Sequence, residues 1–242
     1  MKLPDTLTES VTESASTPTP APAPALLREE AARYALLRRI APAIRHHMAG
    51  TLQPIGMIAA ILDRRLQAET PDLAVLRDNS KSISTLSRSA STASMNLITW
   101  VVPKENGSIA LEAGIEEALG MLATDLAFRG FTVTNQVNAP EVTTSVFALR
   151  TVFTASLIAL TDAAQAPASV VLSSEPAGEQ TRVCITVTRT EGTEAPDEAR
   201  GYRALGWDDV QALADAEQVS IRYSAAHADM LFNRIEQALV TG

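Results

Sequence analysis

Apolar residues recur at three- and four-residue spacing from Leu26 to Leu66 and again from Leu73 to about Val101, and each run predicts one long amphipathic helix. In the first, Ala41, Ile44, Met48, Leu52, Ile55, Ala59 and Leu62 fall within about 40° of Met48 on a wheel of ~100° per residue. In the second, Leu73, Leu76, Ile83, Leu86, Ala90, Ala93 and Leu97 form a matching stripe, with serines opposite. Glu69-Thr70-Pro71-Asp72 reads as a turn, so the two runs predict an antiparallel helical hairpin. A lone hairpin exposes its seam, and pairing two copies into a dimeric four-helix bundle would bury it. Pro42 is expected to kink or restart the first helix, and Pro54 to leave the carbonyl of Gly50 without its usual donor.

Beyond Pro103-Lys104-Glu105-Asn106-Gly107-Ser108, which marks a domain boundary, the periodicity changes. A helix over 111–128 precedes a strand over 131–137. A second helix, capped by Thr144 or Ser145, carries Val146, Leu149, Val152, Phe153, Leu157 and Leu160. Strands over 169–174 and 181–189 flank a turn at Gly178, and a polar loop fills about 190–201. A helix over 207–218, a strand over 219–223 and a final segment over 230–239 complete the pattern. Helices mixed with hairpin-linked strands predict an α/β sandwich, so the fold class is α+β. Residues 1–25, rich in Ser, Thr, Pro and Ala, are expected to form a disordered tail. The expected organisation is thus a tail (1–25), a hairpin domain (26–102) and an α/β domain (109–242).

Composition narrows the function. A net charge of −8 argues against nucleic acid as the main partner. No uninterrupted apolar run approaches the ~20 residues of a membrane span, and Met1-Lys2-Leu3-Pro4-Asp5 lacks the features of a signal peptide, so a cytoplasmic location is expected. Between Leu27 and Leu66, seven arginines stand against three acids, a basic stretch that an acidic partner surface would favour. Cys184, the single cysteine, reads as a small core residue.

The candidate chemistry lies in Arg45-His46-His47-Met48-Ala49-Gly50-Thr51-Leu52-Gln53-Pro54-Ile55. His46 falls ~160° from Met48, on the solvent side, while His47 lies roughly 100° away, on the flank. His46 shares its face with Gly50, Gln53 and Met57, and Ala49 lies alongside, so small or flexible groups surround a ring that another protein could approach. Two adjacent histidines diverge too far on a helix to share a metal, no further ligand cluster is evident, and neither metal nor cofactor is expected.

A hairpin with an outward histidine, followed by a domain of this element order, resembles the phosphoacceptor and ATPase-like domains of sensor histidine kinases, over residues 30–240. The kinase motif has the form His-Glu-Leu-Arg-Thr-Pro-Leu-x-x-Ile. His46 to Ile55 keeps the histidine and the apolar residues two, six and nine positions on. The ATP-binding boxes are absent. Where the resemblance implies a magnesium-binding asparagine, in a helix ending Asn-Ala-x-Asp-Ala, the chain has Ala159. Val187-Thr188-Arg189-Thr190-Glu191-Gly192 stands in place of Asp-x-Gly-x-Gly, and the phosphate loop is reduced to Leu205-Gly206-Trp207, followed by the repelling pair Asp208-Asp209.

The resemblance implies a phosphorelay histidine phosphotransferase without ATP-dependent kinase activity. His46 is the nucleophile, and Arg45, His47, Ala49, Gly50, Gln53 and Met57 form the docking face for the receiver domain of a response regulator or hybrid kinase. The alternative is a homodimeric pseudokinase scaffold that binds a response regulator or kinase without phosphotransfer.

Overall fold

Helix α1 runs unbroken from Pro24 to Leu66, 43 residues and ~65 Å of axis. The structure is a computed structural model that describes residues 23–101, 107–192 and 203–235. The expected tail is therefore largely outside the described residues, as are most of the expected domain boundary and of the polar loop after residue 190. Pro24 occupies the first turn, where a missing N–H costs nothing, and the helix starts two residues earlier than periodicity alone suggested. Pro42 and Pro54 both sit inside it without ending it. Helix α2 (Leu73–Val101) follows a turn in which the Asp72 carboxylate accepts the backbone N–H groups of Ala74 (2.9 Å) and Val75 (3.3 Å).

Along the outer part of the hairpin, Ile44, Thr51, Ile55, Ile58 and Leu62 of α1 are half-buried, at the spacing of a face packed on α2. On α2, Leu76, Ala90 and Leu97 are buried. The adjoining stripe of α1 stays open, with Met48 37% and Leu52 47% exposed.

The α/β part contains β1 (Ser108–Ala110), α3 (Leu111–Phe128), β2 (Phe131–Gln136) and β3 (Thr143–Ser145). Then come α4 (Val146–Ala148), a π-helical turn (Leu149–Phe153) and α5 (Thr154–Ala163), one after another without a break. The Ser145 hydroxyl accepts the N–H of Ala148 (3.3 Å), so of the two caps that the sequence offered, Thr144 and Ser145, the second is used. Strands β4 (Ala168–Ala177) and β5 (Gln180–Arg189), helix α6 (Trp207–Ala216), and strands β6 (Ser220–Tyr223) and β7 (His227–Asn233) complete the described chain. The five-stranded sheet has the order β2-β4-β5-β7-β6, with β2 and β4 parallel and every other pair antiparallel. The short β1–β3 ribbon and the β6–β7 pairing were not anticipated from the sequence.

Period-two alternation divides the sheet. Val170, Leu172, Val183, Ile185, Val187, Ala228, Met230 and Phe232 are buried. Against them pack Ile115, Leu122, Leu126, Val152, Leu157, Leu160, Val210 and Leu213 from the helices. Val146–Ala163 is long and apolar enough to cross a membrane by length and composition, and it forms the mostly buried central helix of this layer. Gly114 is fitted to this packing, since a Cβ there would collide with Cδ1 of the fully buried Leu149.

The core does not stop at the α/β part. Ala32, Leu36 and Ile40 of α1 and Trp100 of α2 are buried in the same apolar cluster, so the base of the hairpin is continuous with it. Cys184 departs from expectation. It faces the polar side of the sheet, half-buried, with its thiol 3.0 Å from Asp229 Oδ1, because strand alternation turns Val183 and Ile185 inward and Cys184 outward.

Candidate functional site

His46 is exposed on α1, and so are Arg45, His47, Ala49, Gly50, Gln53 and Met57. All seven expected site residues thus sit on one accessible stretch of helix. Nothing lies within 4 Å of a Cβ built on Gly50, so no neighbour among the described residues requires glycine there. The Thr51 hydroxyl donates to the carbonyls of His47 (3.2 Å) and Met48 (3.0 Å), a back-bond within the helix.

The helix carrying His46 is anchored one heptad below it. Arg39 lies seven residues earlier, within about 20° on the same face and ~10 Å back along the axis. Its guanidinium donates to Asp162 Oδ1 at 2.8 Å, and their side chains are 4% and 7% exposed. Arg129 approaches the same carboxylate oxygen at 3.1 Å. Arg33 bridges Glu29 (2.9 Å) and Glu217 (2.8 Å). At the base of α2, Trp100 Nε1 donates to Glu117 (2.9 Å), and Arg150 donates to Glu117 (2.8 Å) and to the Thr99 carbonyl (3.0 Å). Both helices of the hairpin are therefore fastened to the α/β part, and sequence reasoning missed every one of these pairs. An excess of arginine at the start of α1 was the signal for the pairs of Arg33 and Arg39, and the pairs of Arg129, Arg150 and Trp100 had none.

In the α/β part, Ala159 is 4% exposed and ends in a methyl group, with nothing to offer a metal. At the N-terminus of α6 the Gly206 amide is already taken from within. The Asp209 carboxylate accepts the N–H of Gly206 (3.0 Å) and pairs with Arg203 (2.7 Å), so a carboxylate stands where a phosphate would need the free amide. The Arg203 hydrogen bond, helped by the Gly206 amide, holds Asp209 below the usual carboxylate range despite the opposing effect of burial. Trp207 stacks on Tyr223, with ring centroids 4.1 Å apart and planes within 5°, and closes the side of this turn.

No protein-family model matches the chain, and no curated protein matches it in sequence. Among solved structures it is similar to the Acinetobacter baumannii histidine kinase AdeS, at 17% identity and a TM-score of 0.42, over 74% of this chain and 96% of that one. It is similar to a bacterial phosphotransferase at 14% identity and a TM-score of 0.37, over 82% and 95% of the two chains. It is also similar to the histidine kinase ThkA in complex with the response regulator TrrA, at 13% identity and a TM-score of 0.38, over 87% and 66%.

Proposed function

We propose that this protein is a phosphorelay histidine phosphotransferase in which His46 exchanges a phosphoryl group with the aspartate of a receiver domain, without ATP-dependent kinase activity. The observation that carries this reading is the accessible imidazole of His46 on a helix whose base is held rigidly by buried ion pairs. A neutral ring nitrogen attacks the phosphorus of the partner's aspartyl phosphate, a P–N bond forms, the P–O bond to the aspartate breaks, and the carboxylate leaves. Because Arg39 and His46 share a face, a partner over His46 also borders the α/β part, which then serves as the second wall of the docking site. Arg45, Ala49, Gly50, Gln53 and Met57 form the first wall, and His47 borders it.

Kinase activity is disfavoured by Ala159 and by the Asp209 carboxylate that takes the Gly206 amide at the start of α6. The open stripe through Met48 and Leu52 supports a homodimer in which two hairpins form a four-helix bundle, and we place the protein in the cytoplasm. The test is incubation with an acetyl-phosphate-charged receiver domain. Acid-labile label should pass to the protein and to its His47→Gln variant, and not to His46→Gln. Label retained in His46→Gln and lost in His47→Gln would overturn the assignment, and micromolar ATP affinity by calorimetry would revive a kinase.

A further inference from the structure

The polar face of the sheet carries a cluster that the phosphotransfer reading does not use. Cys184 on β5 lies directly across from Asp229 on β7, and Thr186 lies across from His227. Strand alternation returns His227 and Asp229 to the same side of the sheet, two residues apart. The three donor atoms, a thiol sulfur, an imidazole nitrogen and a carboxylate oxygen, all lie within 4.8 Å of one another. Asp229 Oδ1 is the meeting point, 3.0 Å from Cys184 Sγ and 2.9 Å from His227 Nε2.

We propose that Cys184, His227 and Asp229 form a site for a borderline divalent transition-metal ion, with zinc as the expected occupant. A sulfur, nitrogen and oxygen set suits such an ion and not magnesium or calcium, which take oxygen ligands. Metal bonds of roughly 2.3 Å to sulfur and 2.0 Å to nitrogen or oxygen, at tetrahedral angles, put neighbouring donors ~3.3–3.5 Å apart. The two contacts to Asp229 Oδ1 therefore have to open by only about half an ångström, within reach of side-chain rotation, and Cys184 Sγ and His227 Nε2 lie within 4.8 Å of each other. The second nitrogen supplies an independent argument. His227 Nδ1 is 2.9 Å from the Thr186 hydroxyl, which can accept its proton and so leave Nε2 with a free lone pair for the ion, the orienting contact that metal-bound histidines use.

His227 and Asp229 side chains are 41% and 28% exposed, so the ion can enter and water can fill a fourth position. The nearby cation of Arg182, which would oppose a bound cation, is matched by Glu175. On binding, Cys184 gives its thiol proton to solvent and the sulfur bonds the ion, with no change in oxidation state.

The probe is cobalt(II), titrated into the chelator-treated full-length chain and followed by the sulfur-to-cobalt charge-transfer band, with zinc as competitor. One equivalent per chain, a charge-transfer band, and its displacement by zinc are expected. Cys184→Ser should abolish the band, His227→Gln should weaken binding at least tenfold, and Thr186→Val, which removes no ligand, should weaken it about tenfold. A His46→Gln/His47→Gln double variant should bind as the parent does. Absence of the band, or binding that survives Cys184→Ser and His227→Gln but falls in the double variant, would overturn the site in favour of an adventitious surface histidine pair.

Discussion

Arg39 and His46 stand one heptad apart on the same face of α1, the first buried against Asp162 and the second exposed. The α/β part therefore ends along the helix just before the imidazole begins. Cutting the anchor is predicted to be costly. Asp162→Ala leaves two arginines facing an empty, largely buried position and should destabilise the protein by about 3–5 kcal/mol. Chemical denaturation reads this directly, and a loss below 1 kcal/mol would mean that the pair does not hold the hairpin.

Gly50 separates helix stability from docking. Since a Cβ at this position meets nothing among the described residues, Gly50→Ala should raise stability by roughly 0.5–1 kcal/mol through backbone entropy alone. Gly50→Gln should keep most of that gain yet slow transfer from a charged receiver, because its side chain stands one turn from His46. Unchanged transfer rates in Gly50→Gln would show that clearance at this position is unimportant.

Asp209 predicts a specific pH dependence. Its carboxyl is held below the usual range in the folded protein, chiefly by the Arg203 hydrogen bond. A depressed folded value means that the contribution is complete above the unfolded carboxylate value of about 3.9 and is lost as pH falls through the folded one. Asp209→Asn should therefore cost about 0.5–2 kcal/mol at pH 7, in the range of a lost helix cap. The difference from the parent should shrink in strongly acidic solution. A difference that grew as pH fell would contradict the assignment.

The open stripe on α1 predicts self-association. Leu52, 47% exposed beside Met48, gains burial if two hairpins pair. Leu52→Glu should convert a dimer to a monomer in light scattering while leaving the far-ultraviolet circular dichroism of the α/β part intact. A parent protein that is already monomeric at micromolar concentration would count against the bundle.

The two long helices, the π-interrupted core helix and most strands were legible because burial on one face imposes a period, and the period survives in sequence. The exposed histidine face was legible for the same reason. What the periodicity did not carry was which element each arginine would meet. Arg39 lies 123 residues from Asp162, and no local pattern encodes that distance. Cys184 was misread because an apolar neighbour on each side looks like a core strand, whereas alternation puts the residue between them on the opposite face. His227 and Asp229 fell before the segment expected over 230–239, and only the register of β7 with β5 brings a cysteine to them.

A long helix gripped at one end transmits torsion like a shaft. The imidazole of His46 rides at the rim of α1, about 6 Å from its axis, so a 20° turn at the grip would swing the ring by ~2 Å. In-line attack tolerates much less, since a misplacement of about 1 Å can cost two orders of magnitude in rate. Between the grip at Arg39 and the ring at His46 the shaft has one joint, Pro42, which cannot donate to the carbonyl four residues before it. Rigidity and aim are thus set separately: the buried ion pairs fix where the shaft is held, and Pro42 fixes how faithfully the far end follows.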